Sequence, residues 1–187
     1  MPITVIDAMT ALVVVDLQKG IVGLPLAHPA TAVVTRAGDL ARAFHEHGLP
    51  VVWVTVNGSA PGRVERSRAN APRAPGWNEL MPELPAAPDD MFVVKRTWGA
   101  FTHTDLEASL RARGVTQVVL AGIATSIGVE STARQAYEAG FHVTLAIDAM
   151  TDLSREAHEQ SVTAIFPRLG ETGTTAEVCA HLAARRR

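Results

Sequence analysis

QVVLAGIATSIGVESTARQAYEAGFHVTLAIDAMTD, residues 117–152, decides the fold. It opens on Val118-Val119-Leu120-Ala121, an apolar run too short for a helix and rich in β-branched residues, which reads as a buried parallel strand. Gly122 breaks the run, and Thr125 and Ser126 place hydroxyls where a helix needs an N-cap. Val129, Ala133, Ala136 and Tyr137 then recur at helical spacing until Gly140 ends the helix. A second strand, 141–147, runs to Asp148. The stretch is therefore a βαβ unit, whose strand-to-helix turn aims backbone N–H groups at whatever sits above the sheet.

The rest of the chain repeats this alternation. Residues 11–15 form a first buried strand closed by Asp16. A loop with Gly20, Gly23, Pro25 and Pro29 leads to a helix over 31–47, with Val34, Ala37, Leu40, Ala41 and Phe44 as its apolar stripe. A second strand spans 51–56. Residues 57–90 break the pattern with prolines, four arginines (Arg63, Arg66, Arg68, Arg73) and Trp77. A loop this long serves function or contact. A third strand over 91–94 precedes Lys95, and a helix over 104–113 takes Thr102 or Thr104 as its cap. Beyond the central unit, Ser154 caps a helix through about 165, which Pro167 and Gly170 end. A short sixth strand near 171–172 and a helix from Thr175 complete the chain. Alternating strands and helices on short connections predict a three-layer α/β/α, Rossmann-like architecture with a parallel sheet. With no internal repeat and no low-complexity linker, residues 1–187 read as one domain.

Composition excludes several classes of partner. Of 187 residues 47% are hydrophobic, and the net charge is -2, so no imbalance calls for nucleic acid or a membrane surface. No segment approaches the roughly 20 apolar residues of a membrane span. Cys179 is the only cysteine, which rules out an intrachain disulfide. These features, with the lack of a signal-peptide pattern, predict a soluble, cytoplasmic protein. The seven histidines are scattered without ligand spacing, so no metal is expected. No glycine-rich fingerprint follows the first strand, and no nucleotide cofactor is expected either.

Gly122-Ile123-Ala124-Thr125, Gly128-Val129, Thr132-Ala133-Arg134 and Asp148-Ala149, together with Asp16-Leu17-Gln18 and Lys95, resemble the isochorismatase-like (cysteine hydrolase) superfamily over nearly the whole chain. The resemblance implies a six-stranded sheet in the order 3-2-1-4-5-6 and a homo-oligomer. It also implies Asp16, Lys95 and the residue-128 position as the catalytic set. The backbone N–H groups of Ala124 and Gly128 would form an oxyanion hole, and the Ile123–Ala124 bond matches a cis peptide. Most members carry a cysteine nucleophile where this chain has Gly128. Ser126 reads as a helix cap, Ser131 lies nearly a turn further along the helix, and Cys179 reads as a small apolar residue. None of the three stands in for the thiol.

One branch of the superfamily, the isochorismatases, works without it. There the aspartate is proposed to protonate a vinyl ether, water attacks the oxocarbenium carbon, and pyruvate leaves. By this resemblance Asp16 is a general acid acting on a small anionic substrate, and Lys95 orients it or binds a substrate carboxylate. Burial would raise the Asp16 pKa and the ion pair would lower it, and sequence leaves the balance open. Arg63 and Arg66 offer charge to an anion, while the same loop also reads as a solvated surface or subunit contact. Trp98 and Phe101 are the expected apolar walls, and Thr125 and Ser126 the expected polar contacts. The other two readings are a non-catalytic ligand-binding relative and an amidase, or other C–N hydrolase, with a different nucleophile.

Overall fold

The structure, a computed structural model, describes residues 3–65 and 73–185. Six parallel strands form one sheet: β1 (Thr10–Val15), β2 (Val51–Val56), β3 (Met91–Lys95), β4 (Gln117–Ile123), β5 (His142–Thr151) and β6 (Glu171–Gly173), in the order β3-β2-β1-β4-β5-β6. This is the Rossmann-like, doubly wound order expected from the resemblance. The order reverses beside β1, so the strand ends at β1 and β4 open a crevice there.

Side-chain alternation along the strands builds two cores. Leu12, Val14, Val119 and Ala121 face one way, against α2 (Ala30–Glu46) and α7 (Thr175–Ala183). Val13, Val15, Val118 and Leu120 face the other, against α3 (Leu106–Ala112), α4 (Glu130–Glu138) and α6 (Phe166–Leu169). β1 and β4 are buried on both faces, as their unbroken apolar runs require. Among the described residues no helix is long and apolar enough to cross a membrane.

Four local features differ from the sequence reading. A short helix, α1 (Lys19–Val22), occupies part of the first loop. β5 overruns Asp148 and continues to Thr151. Its pairing with β4 shifts between Leu120↔Leu145 and Gly122↔Met150, so β5 spends five residues where β4 spends two. That bulge accommodates Asp148, whose Oδ1 accepts from Thr175 N at 2.7 Å and whose Oδ2 lies 3.3 Å from Arg36 Nε. The helix after Ser154 does not stop at Pro167: α5 (Arg155–Gln160) passes through a π-helical turn (Ser161–Ile165) into α6, with Pro167 in the first turn of α6. Finally, the N-cap of α3 is Asp105, whose side chain makes no capping bond, while Thr104 Oγ1 accepts from Leu106 N at 3.4 Å.

Candidate active site

Four strand ends meet at the crevice. Val15 pairs with Gly122, and Val56 pairs with Lys95. Asp16 leaves β1 at φ 55°, a left-handed conformation that aspartate tolerates better than most side chains. Gly122 lies at φ 122°, and a Cβ there would fall 2.0 Å from the Val15 carbonyl oxygen. Only glycine lets β4 pass so close to the end of β1.

Asp16 and Lys95 are both buried, and Lys95 Nζ donates to Asp16 Oδ2 at 2.7 Å and to the Thr97 carbonyl at 3.2 Å. Asp16 Oδ1 is buried without a hydrogen-bond partner among the described residues. An ionised carboxylate so placed is costly. Burial accordingly pushes the Asp16 carboxyl up to about 6, and the Lys95 ammonium offsets only part of that. The balance that the sequence left open thus falls toward a protonatable acid.

The turn after β4 stands opposite. Ala124 is the extended residue before a π-helical turn (Thr125–Val129) that runs into α4, and the Ile123–Ala124 peptide is cis. The Gly128 backbone faces Asp16. A Cβ built there would stand 3.3 Å from Asp16 Oδ2, 3.1 Å from Val15 Cγ1 and 3.4 Å from the Ile123 oxygen. Gly128 therefore forms a bare floor beside the carboxyl.

A cavity of about 390 Å³ opens over this floor, with Asp16, Lys95, Ile123, Ala124 and Gly128 among its lining. Its apolar walls include Ile21, Leu24, Val56, Trp77, Trp98 and Leu153. Trp98 takes part although it is 64% exposed. Phe101 is not in the lining: it packs on the α3–α4 core, its ring centroid 6.0 Å from that of Phe141. Thr125 and Ser126 are not in the lining either, and neither hydroxyl caps the turn. Thr125 Oγ1 pairs with His158 Nδ1 at 2.8 Å, and the Ser126 N–H donates to Asp152 Oδ2 at 2.6 Å. Arg63 is exposed and away from the lining, and Arg66 lies outside the described residues.

Among the described residues Arg73 is the arginine that reaches the cavity. Its guanidinium lies 4.2 Å from the Trp77 ring centroid, and it donates to Asn57 Oδ1 at 3.0 Å and the Gly58 carbonyl at 3.3 Å. Trp77 also packs against Gly20, where a Cβ would fall 2.0 Å from the indole. Gln18 ties this wall to β2: its Oε1 accepts from Val56 N at 2.7 Å, and its Nε2 donates to Val56 O at 3.1 Å and Trp77 O at 3.3 Å. Loop composition pointed to an arginine in this region. Choosing Arg73 needed the fold-back of residues 77–81 onto 17–20, a long-range pairing with no local signal. Among the described residues no three His, Cys, Asp or Glu side chains gather as a metal site would require.

The cavity thus offers a raised-pKa carboxyl, a buried ammonium and an exposed guanidinium around an apolar space, an arrangement fit for acid catalysis on a small anion. Residues 10–177 match the isochorismatase domain. In sequence the chain is similar to YecD, an uncharacterized isochorismatase family protein of Escherichia coli O157:H7, at 44% identity over 180 residues, covering 90% of this chain and 94% of that protein. It is also similar to the ureidoacrylate amidohydrolase RutB of Methylobacterium radiotolerans, at 31% over 198 residues, covering 86% and 72%. In structure it is similar to an isochorismatase family protein from Burkholderia thailandensis, with a TM-score of 0.92 and 40% identity over 96% of this chain and 98% of that one. Strand order, matched span and these likenesses agree: the chain belongs to the isochorismatase family of hydrolases.

Proposed function

We propose that this hydrolase cleaves a small anionic vinyl ether by general-acid catalysis from Asp16, releasing pyruvate, without a covalent enzyme intermediate. The observation that carries the reading is the Asp16 carboxyl, held at about 6 by burial, beside a floor that bears no nucleophile. A carboxyl of that pKa is protonated in about a tenth of molecules at pH 7, and general acids work best near the operating pH. Asp16 gives its proton to the vinyl methylene carbon, which becomes a methyl group. Water adds to the oxocarbenium carbon, and the hemiketal breaks its C–O bond to yield pyruvate and an alcohol. One water proton returns to Asp16. Lys95 holds the carboxyl through Oδ2, and the Ala124–Gly128 floor leaves space for the reacting group. Arg73, at the cavity wall, supplies the countercharge for a substrate carboxylate.

The test is incubation with isochorismate while pyruvate is followed. Turnover by the native chain and its loss in Asp16→Asn are expected, whereas no turnover, or turnover unchanged in the variant, overturns the reading. Similarity to an amidohydrolase favours a second reading, C–N bond hydrolysis. Small amides turned over by the native chain, as well as by Gly128→Cys, would establish it in place of the first.

A further inference from the structure

Two side chains outside the cavity lining grip the turn that forms its floor. Asp152 follows β5 and is 2% exposed. Its Oδ2 accepts from Ser126 N at 2.6 Å, while its Oδ1 accepts from Leu153 N at 2.7 Å and Ser154 N at 3.4 Å. The carboxylate thus supplies the cap that Thr125 and Ser126 do not, to a turn whose first N–H groups need acceptors. One residue earlier in the same turn, the fully buried Thr125 is bonded through Oγ1 to His158 Nδ1 at 2.8 Å. Burial, with the neighbouring His28 ring, holds His158 below its usual range. The neutral ring and the Thr125 hydroxyl share this bond, its direction set by the tautomer. Further along, Ser161 Oγ donates to Glu130 Oε2 at 2.7 Å, so the segment after β5 also holds the first residue of α4, just past the turn.

This effort is spent on a turn whose position matters. Gly128 sits two residues beyond Ser126, and its Cβ direction leads to Asp16 Oδ2 at 3.3 Å. The neighbour of Asp152, Leu153, is itself part of the cavity wall. π-Helical turns recur at functional sites, and a misplacement of about 1 Å near the reacting atoms can cost on the order of a hundredfold in rate.

We infer that Asp152 and His158 are positioning residues: they clamp Ser126 and Thr125 so that Gly128 keeps its distance from the Asp16 carboxyl. This rests on the proposed reading of the turn as the floor for the reacting group. Asp152→Asn keeps the shape but presents an amide NH2 to one set of N–H donors. The control is Asp90→Asn, another buried carboxylate, which accepts from Trp53 Nε1 at 2.7 Å and Ala87 N at 2.8 Å away from the cavity.

With isochorismate as substrate, Asp152→Asn should lower kcat by about tenfold to a hundredfold with KM within about threefold. Asp90→Asn, at a similar loss of Tm, should leave both within about threefold. His158→Gln, which can still accept from Thr125, should stay near the native kcat while His158→Leu falls about tenfold. A second readout needs no turnover. In Gly128→Cys, the rate of thiol alkylation by iodoacetamide should change by about threefold or more on adding Asp152→Asn, and by less on adding Asp90→Asn. If the native chain turns over nothing while alkylation still discriminates, the proposed reaction falls and the clamp stands. If Asp152→Asn and Asp90→Asn cannot be told apart in alkylation, or in kcat where there is turnover, the clamp is refuted.

Discussion

Replacing Asp16 by Asn removes a titrating group from the cavity while keeping its shape and an oxygen for Lys95 Nζ. The folded carboxyl sits at about 6 against its ordinary value of 3.8. At about 1.4 kcal/mol per unit this is worth about 3 kcal/mol. The sign follows from the proton count. Because the folded chain holds the proton more tightly than the unfolded chain, the stabilisation is complete below the unfolded pKa and is lost as pH rises through 6. The stability of the native chain relative to Asp16→Asn should therefore fall by about 3 kcal/mol from acid to neutral pH. About 2 kcal/mol of this should fall between pH 4.5 and 7.5. Leaving Lys95 without an anion shifts the absolute difference but not its slope, so the cost of the broken pair drops out. Urea unfolding of both proteins across that range measures the slope. A flat difference, or one that rises with pH, would refute the argument that burial outweighs the ion pair at Asp16. Turnover needing the acid form should likewise fall about fiftyfold from pH 6 to pH 8.

Gly128→Ala should cost about 1 kcal/mol in Tm-derived stability, because contacts of 3.1 Å to Val15 and 3.3 Å to Asp16 outweigh the gain in backbone stiffness, and kcat should drop about tenfold as the methyl fills the floor. Arg73→Ala should raise KM for an anionic substrate about tenfold or more with kcat nearly constant, a split read from steady-state kinetics. Gly20→Ala should displace Trp77, whose indole lies 2.0 Å from the new Cβ, costing about 1–3 kcal/mol and weakening substrate binding. Tryptophan fluorescence and KM would report both effects.

What could be read from the sequence divides by the range of the interactions involved. β1, β2 and β4 are legible because strands buried on both faces must be continuously apolar, and Asp16 and Lys95 because polar residues at the carboxyl ends of parallel strands gather on one edge of the sheet. In sequence β5 looks shorter than it is because a charged residue, Asp148, sits inside it, an exception allowed by its bonds to Arg36 and Thr175. Thr125 and Ser126 carried a local capping signal that lost to Asp152, 26 residues after Ser126. Phe101 resembled a wall residue by type and place, yet the α3–α4 core took it. Arg73 and Trp77 owe their place to backbone pairing between segments about 60 residues apart, such as Gly20 N to Trp77 O at 2.9 Å. No window of neighbouring residues encodes that pairing.

The five-for-two step in β5 separates two tasks within a single strand. Upstream of it, residues 142–145 are committed to ladder bonds with β4 and β6. Downstream, Met150 and Thr151 pair with β4 again, and the chain then brings Asp152 to the turn under the cavity and Leu153 to its wall, in a phase that the upstream alternation does not dictate. Substitutions at Leu153, beyond the last paired residue, can retune the chamber without unzipping the sheet. Loss of a single residue from the step would rotate that segment and carry its side chains to the wrong side.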